Sequence, residues 1–315
     1  MTDTFKVTVT DIQTVASSIK EFTLSPVEGQ LIPFSAGSHI VVEMPTEEKT
    51  YKNAYSLLSQ PDDPSHYKIA VRLQDNSRGG SVYMHTQVKV GDSLTISAPA
   101  NRFAPLWQAK KHILIAGGIG ITPFLSYLPE FERRGEDYEL HYLYRGGQTG
   151  AYCNELSEQL GDRLFCYDSA TSPRCNIENL MSQRAPGTHF YICGPEKLIE
   201  AVMTTAKQLG IAAGYIHFEE FAAPKPGNAF ELELKSSGRL LNVSEEESML
   251  EAIEKSGIEI PNLCRGGVCG QCVCRVSQGK IDHRDTFLTE QERSSGDVIM
   301  PCVSRAAGER LTLDI

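Results

Sequence analysis

The 315-residue chain contains no run of eighteen apolar residues, so nothing in it is expected to span a membrane. Its first residues, Met1-Thr2-Asp3-Thr4-Phe5-Lys6, lack the apolar stretch of an export signal. Basic residues are scarce: 30 Lys and Arg against 40 Asp and Glu leave a net charge of −10. Nucleic-acid binding, which needs a basic surface, is therefore not expected. Internal repeats and low-complexity tracts are absent. No Cys-x-His is matched by a Cys-x2-His, which excludes a Rieske centre, and no pair of His with a carboxylate at helical spacing offers a mononuclear iron site. What remains has the balance of a globular protein, 41% hydrophobic and 22% charged, long enough for two or three domains. Nine cysteines, an odd number without an export signal, point to a reducing cytoplasm.

Four of those cysteines have a spacing with chemical content. Cys264-x4-Cys269-x2-Cys272, with Cys302 after 29 intervening residues, is the spacing that wraps a plant-type two-iron, two-sulfur cluster. Three thiolates on one tight loop reach both irons, and the fourth closes the cage from a distant segment. Gly266, Gly267 and Gly270 permit backbone conformations closed to other residues and let amide N–H groups face the sulfurs. A structural zinc site and a disulfide pair are the competing readings, but zinc sites usually pair two Cys-x2-Cys knuckles and the second is missing. Cys274, on an outgoing strand, reads as a buried thiol and not a fifth ligand. Such a cluster carries one electron at a time. From residue 229 onward there are 15 acidic and 10 basic residues, half of the net charge. An acidic face there steers a basic redox partner or serves only solubility.

Ala222-Ala223-Pro224-Lys225-Pro226-Gly227-Asn228 has two prolines and a glycine without apolar periodicity, which marks a linker over 223–228. Residues 1–106 read as short strands separated by turns (Lys6 to Val9, His39 to Met44, Tyr67 to Leu73, Ser93 to Ala98), the pattern of an antiparallel β-barrel. Residues 107–222 alternate strand and helix. Strands are expected at His112 to Ala116, Glu139 to Tyr144 and His189 to Cys193. Helices are expected at Pro123 to Arg133, Tyr152 to Gln159 and Glu196 to Gln208. That rhythm implies a parallel sheet with helices on both faces. Residues 229–315, with two strands around Gly238 and a helix near Glu247 to Ser256, make a small α+β domain.

Three further motifs have chemical potential. Gly117-Gly118-Ile119-Gly120-Ile121-Thr122-Pro123 follows a buried strand. Thr122 suits an N-cap and Pro123 the first helical position, which makes a site for a pyrophosphate or only a tight connection. Cys193-Gly194-Pro195 ends a later strand, where open α/β sheets form their ligand crevice. Lastly, Asn53, Tyr55 and Ser56, the segment holding Ile69, Val71 and Arg72, and Arg78-Gly79-Gly80-Ser81 offer an aromatic face, a hydroxyl and phosphate-facing amides. These suit a flavin, although tyrosine on a barrel strand is usually packing.

Barrel, glycine loop, Cys-Gly-Pro and C-terminal cysteine loop, in this order, resemble the phthalate dioxygenase reductase family over nearly the whole chain. Asn53-Ala54-Tyr55-Ser56-Leu57-Leu58-Ser59 and Asp282-His283-Arg284-Asp285 resemble most the reductase components of carnitine monooxygenases. The resemblance implies a flavin-binding barrel, an NAD(P)H-binding α/β domain and a plant-type (β-grasp) ferredoxin domain. It implies FMN stacked on Tyr55, with Ser56 near the flavin N5. Asn53 stands where the family has the arginine that meets the flavin phosphate, which leaves Arg72 as its replacement, with Gly80 and Ser81 adding donors. Thr122 would touch the flavin and Phe221 cover its other face. Cys193 would lie beside the nicotinamide, with Gly117, Gly118 and Gly120 under the pyrophosphate and Arg145 at the ribose. NADH is the expected donor, NADPH the alternative. Electrons would pass singly from FMN through the cluster to a Rieske-type oxygenase, and the reductase would be a cytoplasmic monomer. A stand-alone NADH:acceptor reductase, a reductase for another Rieske oxygenase and a redox-sensing regulator remain the competing readings.

Overall fold

The computed structural model describes residues 4–315 apart from 48, 64, 76 and 221–224. The N-terminal strands are β1 (Thr4–Ala16), β2 (Ile19–Pro26), β3 (Ser38–Pro45), β4 (Thr50–Ser56), β5 (Tyr67–Arg72), β6 (Ser93–Ser97) and β7 (Ala100–Asn101). They form an antiparallel sheet in the order β4-β3-β6-β1-β2-β5, with β7 on β3. Alternation puts Val7, Val9, Phe22, Leu24, Ile40 and Val42 into one fully buried core. One element departs from the all-strand expectation: helix α1 (Gly80–Thr86), opened by Gly79 at φ 124° and anchored by buried Met84. Two turns are too short for an apolar period to show in the sequence.

The next segment comprises β8 (Lys111–Gly117), α2 (Thr122–Arg134), β9 (Tyr138–Tyr144), α3 (Gly146–Thr149), α4 (Cys153–Leu160), β10 (Leu164–Asp168), α5 (Ile177–Ser182), β11 (Thr188–Cys193), α6 (Glu196–Gln208) and β12 (Ile216–Glu219). The sheet is parallel in the order β10-β9-β8-β11-β12, so strand order reverses between β8 and β11. Phe124, Tyr127 and Phe131 of α2 pack one face and Ile199 and Val202 of α6 the other. β10 and β12 escaped the sequence reading because both are short edge strands, and Phe165 and Cys166 of β10 face outward. Residues 3–220 constitute one compact unit.

Residues 225–315 belong to the other. It holds β13 (Phe230–Leu234), β14 (Arg239–Val243), α7 (Met249–Lys255), β15 (Cys274–Gln278), β16 (Ile281–Asp282), α8 (Glu290–Ser295), β17 (Val298–Ile299), β18 (Arg305–Ala306) and β19 (Arg310–Leu313). The order is β14-β13-β19-β15-β17, with β13 and β19 parallel and β16 paired to β18 apart from it. A capping box of Ser248 and Glu251 starts α7, whose Met249, Leu250 and Ile253 are buried with Phe230, Leu232 and Leu311. The described end of the linker is fastened here: Arg284 donates to the Lys225 carbonyl at 2.7 Å and Arg305 to that of Asn228 at 3.0 Å. Among the described residues no helix is long and apolar enough to cross a membrane.

Candidate functional site

Reversal of strand order makes the C-terminal ends of β8 and β11 the natural ligand crevice. Gly117 ends β8, and Cys193, paired in register with Ala116, ends β11. The glycines there serve chain contact first. A Cβ on Gly117 would come within 2.6 Å of the Pro195 ring, and one on Gly120 within 2.8 Å of the Gly194 nitrogen. Gly194 is equally confined, its Cβ falling 3.0 Å from Gly117 Cα. The two motifs therefore lock together, while Gly118, at φ +55°, meets only ordinary contacts with Thr149. The expected N-cap is corrected. Gly118–Ile121 form a 3-10 turn, Thr122 is already helical, and its hydroxyl donates to the Ile119 carbonyl at 2.9 Å instead of accepting an amide. The turn continues into α2, so fewer amide donors are open than a capped start would give.

Cys193 is fully buried, and burial first, then the Glu219 charge, hold its thiol well above the usual range. Glu219 ends β12, in register with Cys193 and 9% exposed. Its Oε2 accepts a hydrogen bond from Ser56 Oγ, at the end of β4, at 3.4 Å. Ser56 and Cys193, 137 positions apart by number, are thus linked through Glu219, which accepts from the one and whose charge acts on the other. Glu219 was not anticipated. The only signal for it is an acid closing the short apolar-rich run Ile-His-Phe-Glu.

On the barrel, Asn53 Nδ2 donates to the Tyr55 hydroxyl at 3.2 Å, and burial pushes that phenol up to about 12 against the hydrogen bond. Tyr51 and Asn53 press on the start of α1: a Cβ on Gly79 would overlap the Tyr51 ring, and one on Gly80 would come within 2.5 Å of Asn53 Nδ2. Asn53 thereby joins the loop Arg72–Ser81. Ser81 Oγ donates to Ser77 Oγ at 2.9 Å and accepts from Gln74 N at 3.2 Å. Arg72 Nη2 lies 3.9 Å from Asp75, and its buried Nε has no hydrogen-bond partner among the described residues. A buried guanidinium nitrogen without a partner, beside hydroxyls and the amide end of α1, fits a flavin phosphate. The side chains of Ile69 and Val71 fill the barrel core, and His85 Nε2 lies 2.8 Å from the Val71 carbonyl. Phe221 lies outside the described residues.

Arg145 follows β9 with an exposed side chain, and its N–H donates to Thr149 Oγ1 at 3.0 Å. Beside it Asp168, at the end of β10, accepts the Gly146 N–H at 2.8 Å and the Ala170 N–H at 2.9 Å, and these amides hold its carboxyl below the usual range. This second strand-end acid was also missed, together with its strand.

In the other unit the four expected cysteines lie as two pairs, Cys264 with Cys269 and Cys272 with Cys302. Cys272 and Cys302 sulfurs are 3.3 Å apart, and the hydrogen bond from Cys264 holds the Cys269 thiol below its usual range. Amides of Gly266 and Val268 point at Cys264, that of Gln271 at Cys269 and that of Gly267 at Cys302. Converging sulfurs with amide donors are what a negatively charged cluster needs, and the residues fit it. Arg265 is left-handed at φ 53°, a strained setting for a side chain, and is held by a two-pronged pair with Glu254, 2.8 Å at each prong. Cys274 stands apart as expected: buried, donating to the Cys272 carbonyl at 3.4 Å, its thiol pushed up by burial to about 12.

Residues 6–104 match an oxidoreductase FAD-binding domain, 97–216 the N-terminal domain of dimethylamine monooxygenase subunit DmmA-like proteins, and 232–307 a 2Fe-2S iron-sulfur cluster binding domain. The chain is 48% identical over 315 residues to the heme-dependent oxidative N-demethylase beta subunit of Ectopseudomonas mendocina (strain ymp), across 100% of both chains. It is 46% identical to the carnitine monooxygenase reductase subunit of Escherichia coli (strain K12), covering 99% of this chain and 98% of that one. A solved phthalate dioxygenase reductase superposes with a TM-score of 0.85 at 30% identity, covering 99% and 98%.

Proposed function

The chain belongs to the phthalate dioxygenase reductase family, and from that premise we propose that it is the reductase component of a two-component oxygenase, taking a hydride from NADH and delivering single electrons. Work divides among a flavin barrel (1–106), a nucleotide domain (107–222) and, after the linker, a ferredoxin domain (229–315). The observation that carries the reading is the link of Ser56 and Cys193 through Glu219, in a chain that also gathers four thiols. Bound FMN would supply acceptance of one hydride, an electron pair, and release of its electrons one by one, and a 2Fe–2S cluster would supply their onward carriage.

The chain's own residues bind and orient. Tyr55 offers a face for the flavin ring, and Ser56, fixed by Glu219, a hydroxyl at its edge. Asn53, Arg72, Gly79, Gly80 and Ser81 hold the phosphate. FMN is favoured over FAD because the barrel segment includes no extension for an adenine. Cys193, Gly194 and Pro195, locked on Gly117 and Gly120, shape the nicotinamide crevice, and Thr122 lines it. Asp168 supports NADH: a carboxylate beside Arg145 and Gly146 accepts a ribose hydroxyl and repels a 2′-phosphate. Arg145 keeps NADPH as the second donor. Cys264, Cys269, Cys272 and Cys302 hold the cluster.

The acceptor we favour is a Rieske-type carnitine monooxygenase, with the reductase a cytoplasmic monomer. A haem-dependent N-demethylase is the second reading, favoured by the 48% identical beta subunit and the dimethylamine monooxygenase match over 97–216. The test mixes the purified chain and NADH with each oxygenase and its amine. Product formed in step with NADH consumed identifies the partner. NADH oxidation that neither oxygenase stimulates would instead mark a stand-alone reductase.

A further inference from the structure

Asp285 is a buried carboxylate that the electron-transfer reading does not use, and it ties both cysteine-bearing segments together. It is 3% exposed. Its Oδ2 accepts the N–H groups of Phe287 at 3.2 Å and Leu288 at 2.9 Å, closing a turn. Its Oδ1 accepts the Ser304 hydroxyl at 3.3 Å, two residues beyond Cys302. Arg293 donates to its main-chain carbonyl and lies 3.5 Å from Oδ2. His283 Nδ1 is 3.6 Å from Oδ1.

The segment Asp285–Leu288 crosses the three-cysteine loop. Thr286 N–H donates to the Gly267 carbonyl at 3.1 Å, and a Cβ on Gly267 would come within 3.2 Å of Asp285 Cα. A Cβ on Gly270 would overlap the Phe287 ring, so that ring lies on the bend between Cys269 and Cys272. Leu288 turns inward at 5% exposed, while Phe287 remains 49% exposed. An aromatic ring left half in water gains its burial only against the loop it covers. That loop needs bracing, since Arg265, Gly267 and Gly270 all sit at positive φ and make no strand or helix ladder.

We propose that Asp285 is a positioning residue for the cluster: it locks the Asp285–Leu288 strap across the three-cysteine loop and against the Cys302 turn, with the Phe287 ring covering the Gly270 bend. The inference rests on the 2Fe–2S reading of this unit. Removing the carboxylate loosens both ligand-bearing segments at once, whereas removing the ring only admits water.

The test compares purified, cluster-loaded chain with D285N, D285A and F287A. Loss of cluster absorbance under a chelator in air and the cluster midpoint potential are measured, and far-ultraviolet circular dichroism of the same samples reports folding. D285A should shed its cluster about tenfold faster, the weight of one hydrogen bond to a charged acceptor. D285N, whose amide oxygen still accepts the two backbone N–H groups, should fall between. F287A should move the potential upward, because added water stabilises the more highly charged reduced form. Should D285A take up no cluster, F287A and D285N decide. Cluster lifetimes and potentials equal to wild type in all three variants would overturn the proposal. A wild-type chain that assembles no cluster would instead overturn the reading beneath it.

Discussion

Acidification from pH 7.5 to 5 should release the flavin and destabilise the barrel, with His39 as a main cause. His39 lies in β3 opposite Ser56, is 3% exposed, and neither ring nitrogen has a hydrogen-bond partner among the described residues. Burial first, then the charge of Arg102, lowers its pKa from 6.5 to about 4. Between those values the unfolded chain binds the proton and the folded chain does not. The stability contributed by neutral His39 is therefore complete above about pH 6.5 and is lost as pH falls from there toward 4. Down to pH 5 about 1.5 pH units of that gap are crossed, at about 1.4 kcal/mol each about 2 kcal/mol. That is a large part of the ~5–15 kcal/mol that holds a typical domain together. His217, lowered to about 4 by burial and then by His189 and His112, acts in the same direction. Flavin fluorescence and far-ultraviolet circular dichroism, followed against pH for wild type and His39→Leu, measure the effect. The leucine variant should keep its flavin to a lower pH. Release at the same pH in both proteins would refute the assignment.

Three substitutions test the remaining groups. Arg72→Ala should weaken FMN retention by about tenfold or more, the cost of one charge-assisted contact, read from flavin remaining after gel filtration. Glu219→Gln should bind flavin normally but slow its bleaching by NADH by roughly tenfold, since Ser56 loses a charged acceptor; stopped-flow absorbance gives the rate. Asp168→Asn should raise KM for NADH by roughly tenfold and narrow the preference over NADPH, in steady-state assays with both nucleotides.

How much the sequence disclosed depends on how local each feature is. The cysteine loop was legible because cluster ligation imposes a fixed spacing, and Cys274, read as a buried thiol, is buried at the start of β15. Ser56 and Cys193 were legible as members of short motifs. Their shared partner was not: Glu219 reaches Ser56 across 163 positions and closes an edge strand with no apolar run to announce it. Asp168 closes the other edge strand, β10, whose short run Leu-Phe-Cys-Tyr was not read as a strand. The glycines of the nucleotide loop were expected to make room for a ligand, yet Gly117 and Gly120 first make room for the Cys193–Pro195 chain, a contact that depends on how β8 and β11 are paired. Thr122 looked like a cap because Thr-Pro often is one, and a 3-10 turn displaced it.

The central claim is that a pair of electrons taken from NADH leaves this chain singly through four cysteines. Anaerobic rapid mixing of NADH with wild type and Cys302→Ser, followed by flavin bleaching and by low-temperature electron paramagnetic resonance, tests it most directly. The account predicts flavin bleaching in both proteins and a reduced-cluster signal in wild type alone. A wild-type chain that bleaches its flavin but never develops that signal would contradict it, as would an unchanged signal in the variant.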